Sequence, residues 1–539
     1  MDCDILIANG TVIDGTGMPA YRAAVAITGD RIAGVGDEGD FHPRRVIDGR
    51  NLAVAPGFID SHSHFDLAPF PKSGYEDAGL KYRLYQGVTT LVTGCCGTTP
   101  APVTPEGRAQ WLAQSCGLKE NGWAKWQSFG DYLDALGRCG LGTNFASYVG
   151  HGALRYAAMG FSAAKPSAAQ MARMKALLEE ALEAGALGMS TGLVYPPGIF
   201  ADTEELSELS QALRGTGAIY ASHMRSESQG WLNAVAEVLR IARENQIPAI
   251  IHHVKIQYVA TDELLAGFFD LIGRARAEGL DIGFEQYPYD AAATALSTML
   301  PAWAKEGDAA ARLGRLTDKE AFEKVCRDIR RENGWNNLEQ ERQGCERVLI
   351  LRGNDCEAYL QKTLTQVAGE MGARPLEAMG HILIQSRLTA ACAYFGMREK
   401  DIVAFMKMPL TMIGSDGGPS LGITGVKNVH PRYNGTFPRV LGRYAREQGV
   451  FSMEEAVHRM TGLPAARFGL KGRGVIRAGA YADLTVFDPA AVLDGATYQD
   501  SYRRPMGIRH VLVNGQPAML DEIITGALAG RVLRRGRES

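Results

Sequence analysis

From Ala186 onward the chain repeats a unit of about thirty residues, an apolar strand followed by a helix, and parallel βαβ architecture has this pattern. The segment "ALGMS" precedes a helix opened by Asp202, with Glu205 three residues on as a capping-box pairing. Then come "AIYASH", the helix "WLNAVAEVLRIARENQ", "PAIIHH", the helix "ELLAGFFDLIGRARAEG" and "LDIGFE". Ser190, His223, His253 and Glu285 occupy matching places in these units. Upstream, "SAAQMARMKALLEEALEAG" reads as a helix capped by Ser167, with Gln170 closing the box and Gly185 suited to a left-handed stop. Adding "GFIDSH", "VTTLVTG", "NFASYV" and "LTMIGSD" brings the strands to eight, which predicts an α/β fold of the (β/α)8 TIM-barrel type over 57–465.

The seventh and eighth strands are roughly 120 residues apart, far beyond an ordinary loop. That stretch is charged and helix-rich, so 290–400 is expected to form an inserted lid or small subdomain. Both chain ends read differently: "DILIANGTVIDG", "AAVAITGDRIAGVG", "ADLTVFDP" and "IRHVLVNGQPAM" are short alternating strands broken by Gly, Asn and Asp turns. They predict a small β-sandwich domain assembled from 1–56 and 466–539.

With a formal charge of -3, the chain has no field to steer nucleic acid or an anionic membrane, so the expected partner is a small molecule. The start "MDCDILIANG" carries acid where a signal peptide needs positive charge, and no stretch has the length of a transmembrane helix; a cytoplasmic protein is expected, with a homo-oligomer possible. Nine cysteines without regular spacing read as reduced thiols, and the tail "GRVLRRGRES" as a solvated, partly frayed terminus.

Active sites of such barrels lie at the C-terminal strand ends, and here those ends are rich in metal ligands. Strand one ends with His62 and His64, strand two with Cys95 and Cys96, strand five with His223, strand six with His252 and His253, and strand eight with Asp416. Imidazole, thiolate and carboxylate together suit Zn²⁺, whereas Mg²⁺ or Ca²⁺ would call for mainly oxygen ligands.

The segments "APGFIDSHSHFD", "TGCCGTTPAP", "VGHGALR", "STGLVYPPG", "YASHMRSES", "IIHHVK", "YPYDA", "IGSDG" and "HPRYNGTFPRVLG" resemble the metal-dependent amidohydrolase superfamily, and within it the N-acyl-D-amino-acid deacylase (D-aminoacylase) family. The resemblance runs nearly end to end. It implies zinc-dependent hydrolysis of an N-acyl-D-amino acid at a site where a strand-two cysteine bridges, in place of the strand-four lysine of many relatives. Strand four here ends in Ser190, Thr191 and Gly192. By motif, Cys96, His223 and His253 resemble the ligands of one tightly held zinc, and His62, His64 and Asp416 those of a second, weaker position. Cys95 and His252 depart from the family pattern; Cys95 is expected as a buried thiol, and His252 leaves open an exchange of roles with His253.

Asp416 is the candidate general acid/base, taking a proton from water and returning it to the leaving amine. Tyr195, Lys255, Tyr287 and Arg432 stand at family positions that hold substrate, although Lys255 could instead pair with Glu285, and Arg432 could anchor its loop. His151, Arg225 and Glu227 are expected as support or structural ion pairs. Two other readings compete with this one, a cyclic-amide hydrolase of the hydantoinase or dihydroorotase type and a catalytically silent barrel. The missing strand-four lysine argues against the first and the full ligand set against the second.

Overall fold

The computed structural model describes residues 1–70, 78–115, 122–418 and 428–537. Within them the barrel strands are β1 (Phe58–Asp60), β2 (Val88–Thr93), β3 (Asn144–Ser147), β4 (Gly188–Gly192), β5 (Ile219–His223), β6 (Ala249–Ile251), β7 (Ile282–Gln286) and β8 (Thr411–Ile413). Neighbours pair in parallel, and the line of β3 passes Tyr148 into Val149–Gly150, which pairs with β4. A parallel bridge between Ser63 and Gly417, with Ser61 N donating to Ile413 O at 3.3 Å, closes β8 onto β1. The (β/α)8 barrel is therefore complete. β2, β5 and β6 are buried along their whole length, which explains why they read as apolar runs rather than alternations.

The covering helices form where their sequence signals stand. Ser167 accepts from Gln170 N, the Gln170 side chain returns the bond, and Gly185 closes Ala168–Ala184 at φ 104°. Trp231–Asn245 buries Trp231, Val235, Val238, Leu239 and Ala242, a helical stripe, and stacks Trp231 on Phe268 with ring centroids 4.8 Å apart. Truncating such an aromatic residue to Ala costs about 3–5 kcal/mol. At Asp202 only half of the expected capping box exists. Its side chain accepts from Glu205 N, but the Glu205 carboxylate goes to His151 Nε2 at 3.0 Å and Arg155 Nε at 3.1 Å. Arg155 is fully buried, and leaving its charge unpaired would cost more than one cap hydrogen bond contributes.

Between β7 and β8, five helices from Ala309 to Gln385 enclose a core of their own that includes Leu296, Val325, Ile329, Val367 and Ile382. They pack with an antiparallel sheet of Ala291–Ala295, Ala391–Phe395 and Val348–Arg352, which the sequence does not announce. Its first strand, "AAATA", has little intrinsic β-propensity, and pairing alone makes it a strand.

The two termini meet in a seven-stranded sheet in which Ala53–Pro56 lies antiparallel to Leu484–Phe487, so the chain enters β1 directly from a strand braced by the C-terminal segment. A four-stranded sheet of Asp2–Ala8, Ala24–Thr28, Arg31–Gly36 and His42–Asp48 accompanies it, and Ile7, Val25, Ile27, Val54, Val486 and Leu512 share one core. The basic tail is not frayed as far as Arg537. Arg534 donates to Ala184 O (3.0 Å) and Arg537 to Glu183 O (2.9 Å), cations on carbonyls at the C-terminus of the Ala168–Ala184 helix, and Arg535 donates to Thr216 O (2.5 Å) in the turn before β5. Glu538 and Ser539 lie outside the described residues. Eight cysteines among the described residues are free thiols, all buried except Cys139; the ninth, Cys116, lies outside them. Among the described residues no helix is long and apolar enough to cross a membrane.

Candidate metal centre and active site

The strand ends deliver their polar residues to one point at the floor of a cavity of about 1290 Å³, roofed in part by the segment between β7 and β8. Cys96 Sγ lies 3.4 Å from His62 Nε2, 3.5 Å from His223 Nδ1 and 3.5 Å from His253 Nε2. His223 Nδ1 and His253 Nε2 are 2.9 Å apart. On the other side of His62, Asp416 Oδ1 stands 3.6 Å from His62 Nε2 and 3.2 Å from His64 Nε2. All six residues thus form two adjoining ligand groups that meet at the Cys96–His62 contact.

Backbone geometry makes this possible. Cys96, His253 and Asp416 have φ of 52°, 34° and 47°, left-handed conformations that cost a non-glycine residue about 1–3 kcal/mol. Each turns a side chain inward just as its strand ends. Gly192 at the end of β4 packs on the Cys96 carbonyl so closely that a Cβ there would come 2.0 Å from that oxygen. Ser190 donates to Gly94 O and accepts from Gly97 N, so the end of β4 supports the cysteine loop and supplies no ligand.

Burial sets the protonation states. It pushes the pKa values of His62, His223 and His253 below the ordinary imidazole value, leaving neutral rings able to coordinate. It also raises the Cys96 thiol well above its usual range, so the proton leaves only when a cation arrives. Burial opposes ionisation of Asp416 as well, but Arg432 and the neighbouring histidines outweigh it and hold the carboxylate ionised. Sulfur-to-nitrogen separations near 3.5 Å match the edges of a tetrahedron around a cation at about 2.0–2.3 Å, so the donor set fits zinc.

Around this centre the remaining polar residues take definite positions. Glu227 accepts from Lys255 Nζ at 2.5 Å and Gln257 Nε2 at 2.7 Å and lies 3.0 Å from His253 Nδ1, so Lys255 pairs with Glu227 and not with Glu285. Burial resists ionisation of Glu227, but Lys255 and the histidines win and hold its pKa far below the usual carboxylate range. Arg432 is 2 % exposed; its Nη2 sits 2.9 Å from Asp416 Oδ2 and 3.0 Å from Ala293 O, and its Nε donates to Asp416 O at 3.1 Å. Tyr195 OH meets Thr294 Oγ1 at 2.8 Å. Tyr287 lies between Arg432 and Lys255, its hydroxyl without a partner among the described residues. Arg225 pairs with Glu237 rather than Glu227, and His151 with Glu205.

Sequence reasoning missed the roles of Asp60 and Glu285. Asp60 accepts from Ser415 N (2.7 Å) and Ser415 Oγ (2.5 Å) and pairs with fully buried Arg83 (3.3 Å), which ties β1 to the residue before Asp416. The aspartate two residues before His62 was the available signal. Glu285 hydrogen-bonds His62 Nδ1, leaving Nε2 for the ligand cluster.

The amidohydrolase family model matches residues 45–519, and the D-aminoacylase of Alcaligenes xylosoxydans xylosoxydans is 38% identical over 99% of this chain and 98% of its own. The chain belongs to the amidohydrolase family, in its D-aminoacylase branch. Within that branch, the N-acyl-D-glutamate deacylase of Alcaligenes xylosoxydans xylosoxydans is 35% identical, over 99% of this chain and 96% of its own. The crystal structure of N-acyl-D-glutamate deacylase from Bordetella bronchiseptica, complexed with zinc and a phosphonate mimic of the tetrahedral intermediate, superposes with a TM-score of 0.82. It is 32% identical and covers 99% of this chain and 100% of that one. The branch thus accounts for the whole chain, including both terminal sheets.

Proposed function

We propose that this amidohydrolase is a zinc-dependent hydrolase of N-acyl-D-amino acids, releasing a carboxylate and a free D-amino acid. One observation carries the reading: Cys96, His223 and His253 converge within 3.5 Å at the floor of the cavity, in a chain whose D-aminoacylase relatives match it end to end. These three would hold one zinc tightly, and His62, His64 and Asp416 a second, weaker one. Zinc at such a site supplies Lewis acidity, bringing the pKa of water down from about 15.7 toward roughly 7 and polarising the scissile carbonyl.

The chain's own residues do the rest. Asp416, ionised and reaching into the cavity, accepts the proton of the attacking water and returns it to the departing amine. Arg432, whose Nη1 has no partner among the described residues, offers a cation for the substrate α-carboxylate while its other nitrogens steady Asp416. The unpartnered Tyr287 hydroxyl and the Lys255 ammonium line the same floor and suit the amide oxygen and the carboxylate, and Tyr195 forms a side wall beside His223. The absence of lysine from Ser190, Thr191 and Gly192 counts against the cyclic-amide reading.

The test is a panel of N-acetyl D- and L-amino acids beside hydantoins, assayed with protein of measured zinc content. Release of D-amino acids in proportion to zinc, with the L series and the hydantoins inert, is the expected result. Hydrolysis of hydantoins in preference to every linear amide would overturn the proposal.

A further inference from the structure

Beneath the ligand cluster, inside the barrel, lies a second group of donors, of which Glu285 alone is engaged with a rim ligand, His62. His252 is fully buried, and neither of its ring nitrogens has a partner among the described residues. The Tyr148 hydroxyl, its ring 5.9 Å from that of His252, is buried and unpartnered as well. Cys95 is fully buried, with its sulfur 3.9 Å from Val92 O and the Ser63 backbone also within reach. Glu285 places Oε1 3.6 Å from His252 Nε2 and is 1 % exposed. The nearby cationic side chains are engaged elsewhere, Arg83 with Asp60 and Lys255 with Glu227.

Such an arrangement is unfavourable as it stands. Each buried polar atom left without a partner costs about 1–3 kcal/mol, and three such atoms meet in one layer. The donor types narrow what relieves them. A sulfur, an imidazole and a carboxylate suit a soft or borderline cation, and Cys95, His252 and His62 offer ligand atoms within 4.8 Å of one another. The 3.6 Å between His252 Nε2 and Glu285 Oε1 is a ligand-to-ligand spacing, too long for a hydrogen bond.

We propose that Cys95, His252 and Glu285 form an interior cation site, separate from the rim ligands, that takes Zn²⁺ or its analogue Cd²⁺. A bound cation would take Cys95 as thiolate and Glu285 as carboxylate, two anionic ligands that balance a divalent charge, and any proton either group carries would pass to solvent. His62 joins the two levels, with Nδ1 against Glu285 below and Nε2 beside Cys96 above. The inference does not rest on the hydrolase reading, since neither Cys95 nor His252 lines the cavity.

The experiment is anomalous diffraction at the zinc edge from crystals of the full chain purified from zinc-supplemented culture. The expected result is a peak within bonding distance of Cys95 Sγ, distinct from any peak at Cys96, that disappears in Cys95→Ser while the peak at Cys96 stays. In solution, the cadmium–thiolate charge-transfer band of the cadmium-exchanged protein should fall by about half in Cys95→Ser, because one of two coordinating thiolates is lost. If that variant does not fold, His252→Ser serves the same comparison, and the wild-type map decides without any variant. Only water, or nothing, between Cys95 and His252 in the zinc-loaded wild type would overturn the proposal, as would an unchanged cadmium band in a folded variant.

Discussion

Replacing Glu227 by Gln removes a charge from a carboxylate that three groups surround: His253 Nδ1 at 3.0 Å, Lys255 Nζ at 2.5 Å and Gln257 Nε2 at 2.7 Å. The Gln carbonyl can still accept one or two of these bonds, but its NH2 group then faces donors, and Lys255 is left buried without a counter-charge. Two consequences follow from the geometry. His253 loses the carboxylate that favours a proton on Nδ1 and Nε2 free for a cation, leaving Lys255 Nζ at 2.7 Å as that nitrogen's neighbour, and such outer partners set metal affinity by about 10–100-fold. That range corresponds to ~1.4–2.7 kcal/mol in zinc binding. Lys255, freed to move, no longer presents its ammonium to the cavity floor, so the Michaelis constant should rise as well. Competitive zinc titration against a chromophoric chelator measures the first effect and steady-state kinetics on an N-acetyl-D-amino acid the second; Glu227→Asp should recover part of both. A Glu227→Gln protein with zinc affinity within twofold of wild type and unchanged kinetics would refute the reasoning.

Asp416→Asn should keep the tight zinc bound by Cys96, His223 and His253 and lose about 10²–10⁴ in turnover, read by zinc analysis beside kcat. Arg432→Lys loses the fork that serves Asp416 and Ala293 O at once, and kcat/KM is expected to fall about 10–100-fold while the zinc content holds. Lys305, 6 % exposed, makes its polar contacts with the Val194 and Thr298 carbonyls, and burial lowers its pKa to about 8. Because the unfolded chain holds that proton up to about 10.4, stability rises with pH across the interval between these values, by roughly 3 kcal/mol in all. Lys305→Met should flatten this rise, seen as a shrinking difference between variant and wild type in denaturant unfolding from pH 7 to pH 10; parallel profiles would remove Lys305 as the cause.

Local chemistry made much of this protein legible in advance. The alternation of apolar strand and amphipathic helix, the Ser167–Gln170 cap and the Gly185 stop are all settled within one or two turns of chain, and they stand in the structure where the sequence puts them. The same holds for the histidine pair after β1, because a buried strand that ends in two imidazoles announces a cavity. Where local rules misled, a distant partner decided: Glu205 left its box for Arg155, the tail was held down by helix carbonyls, and "AAATA" became a strand by pairing.

Two further matters lay beyond any reading of neighbours along the chain. Adjacent residues such as Cys95 and Cys96, or His252 and His253, look equivalent in one dimension. A left-handed turn at Cys96 and at His253 sends one member of each pair to the rim and the other into the barrel, and only closure of eight strands sustains those strained angles. Likewise Lys255 had two acids to choose from, and the loop after β5 brought Glu227 within 2.5 Å while Glu285 turned to His62. Periodicity and capping depend on contacts a few residues apart and survive in the sequence as pattern. The direction of a side chain at a strand end depends on the whole ring of strands, and only the folded chain contains that.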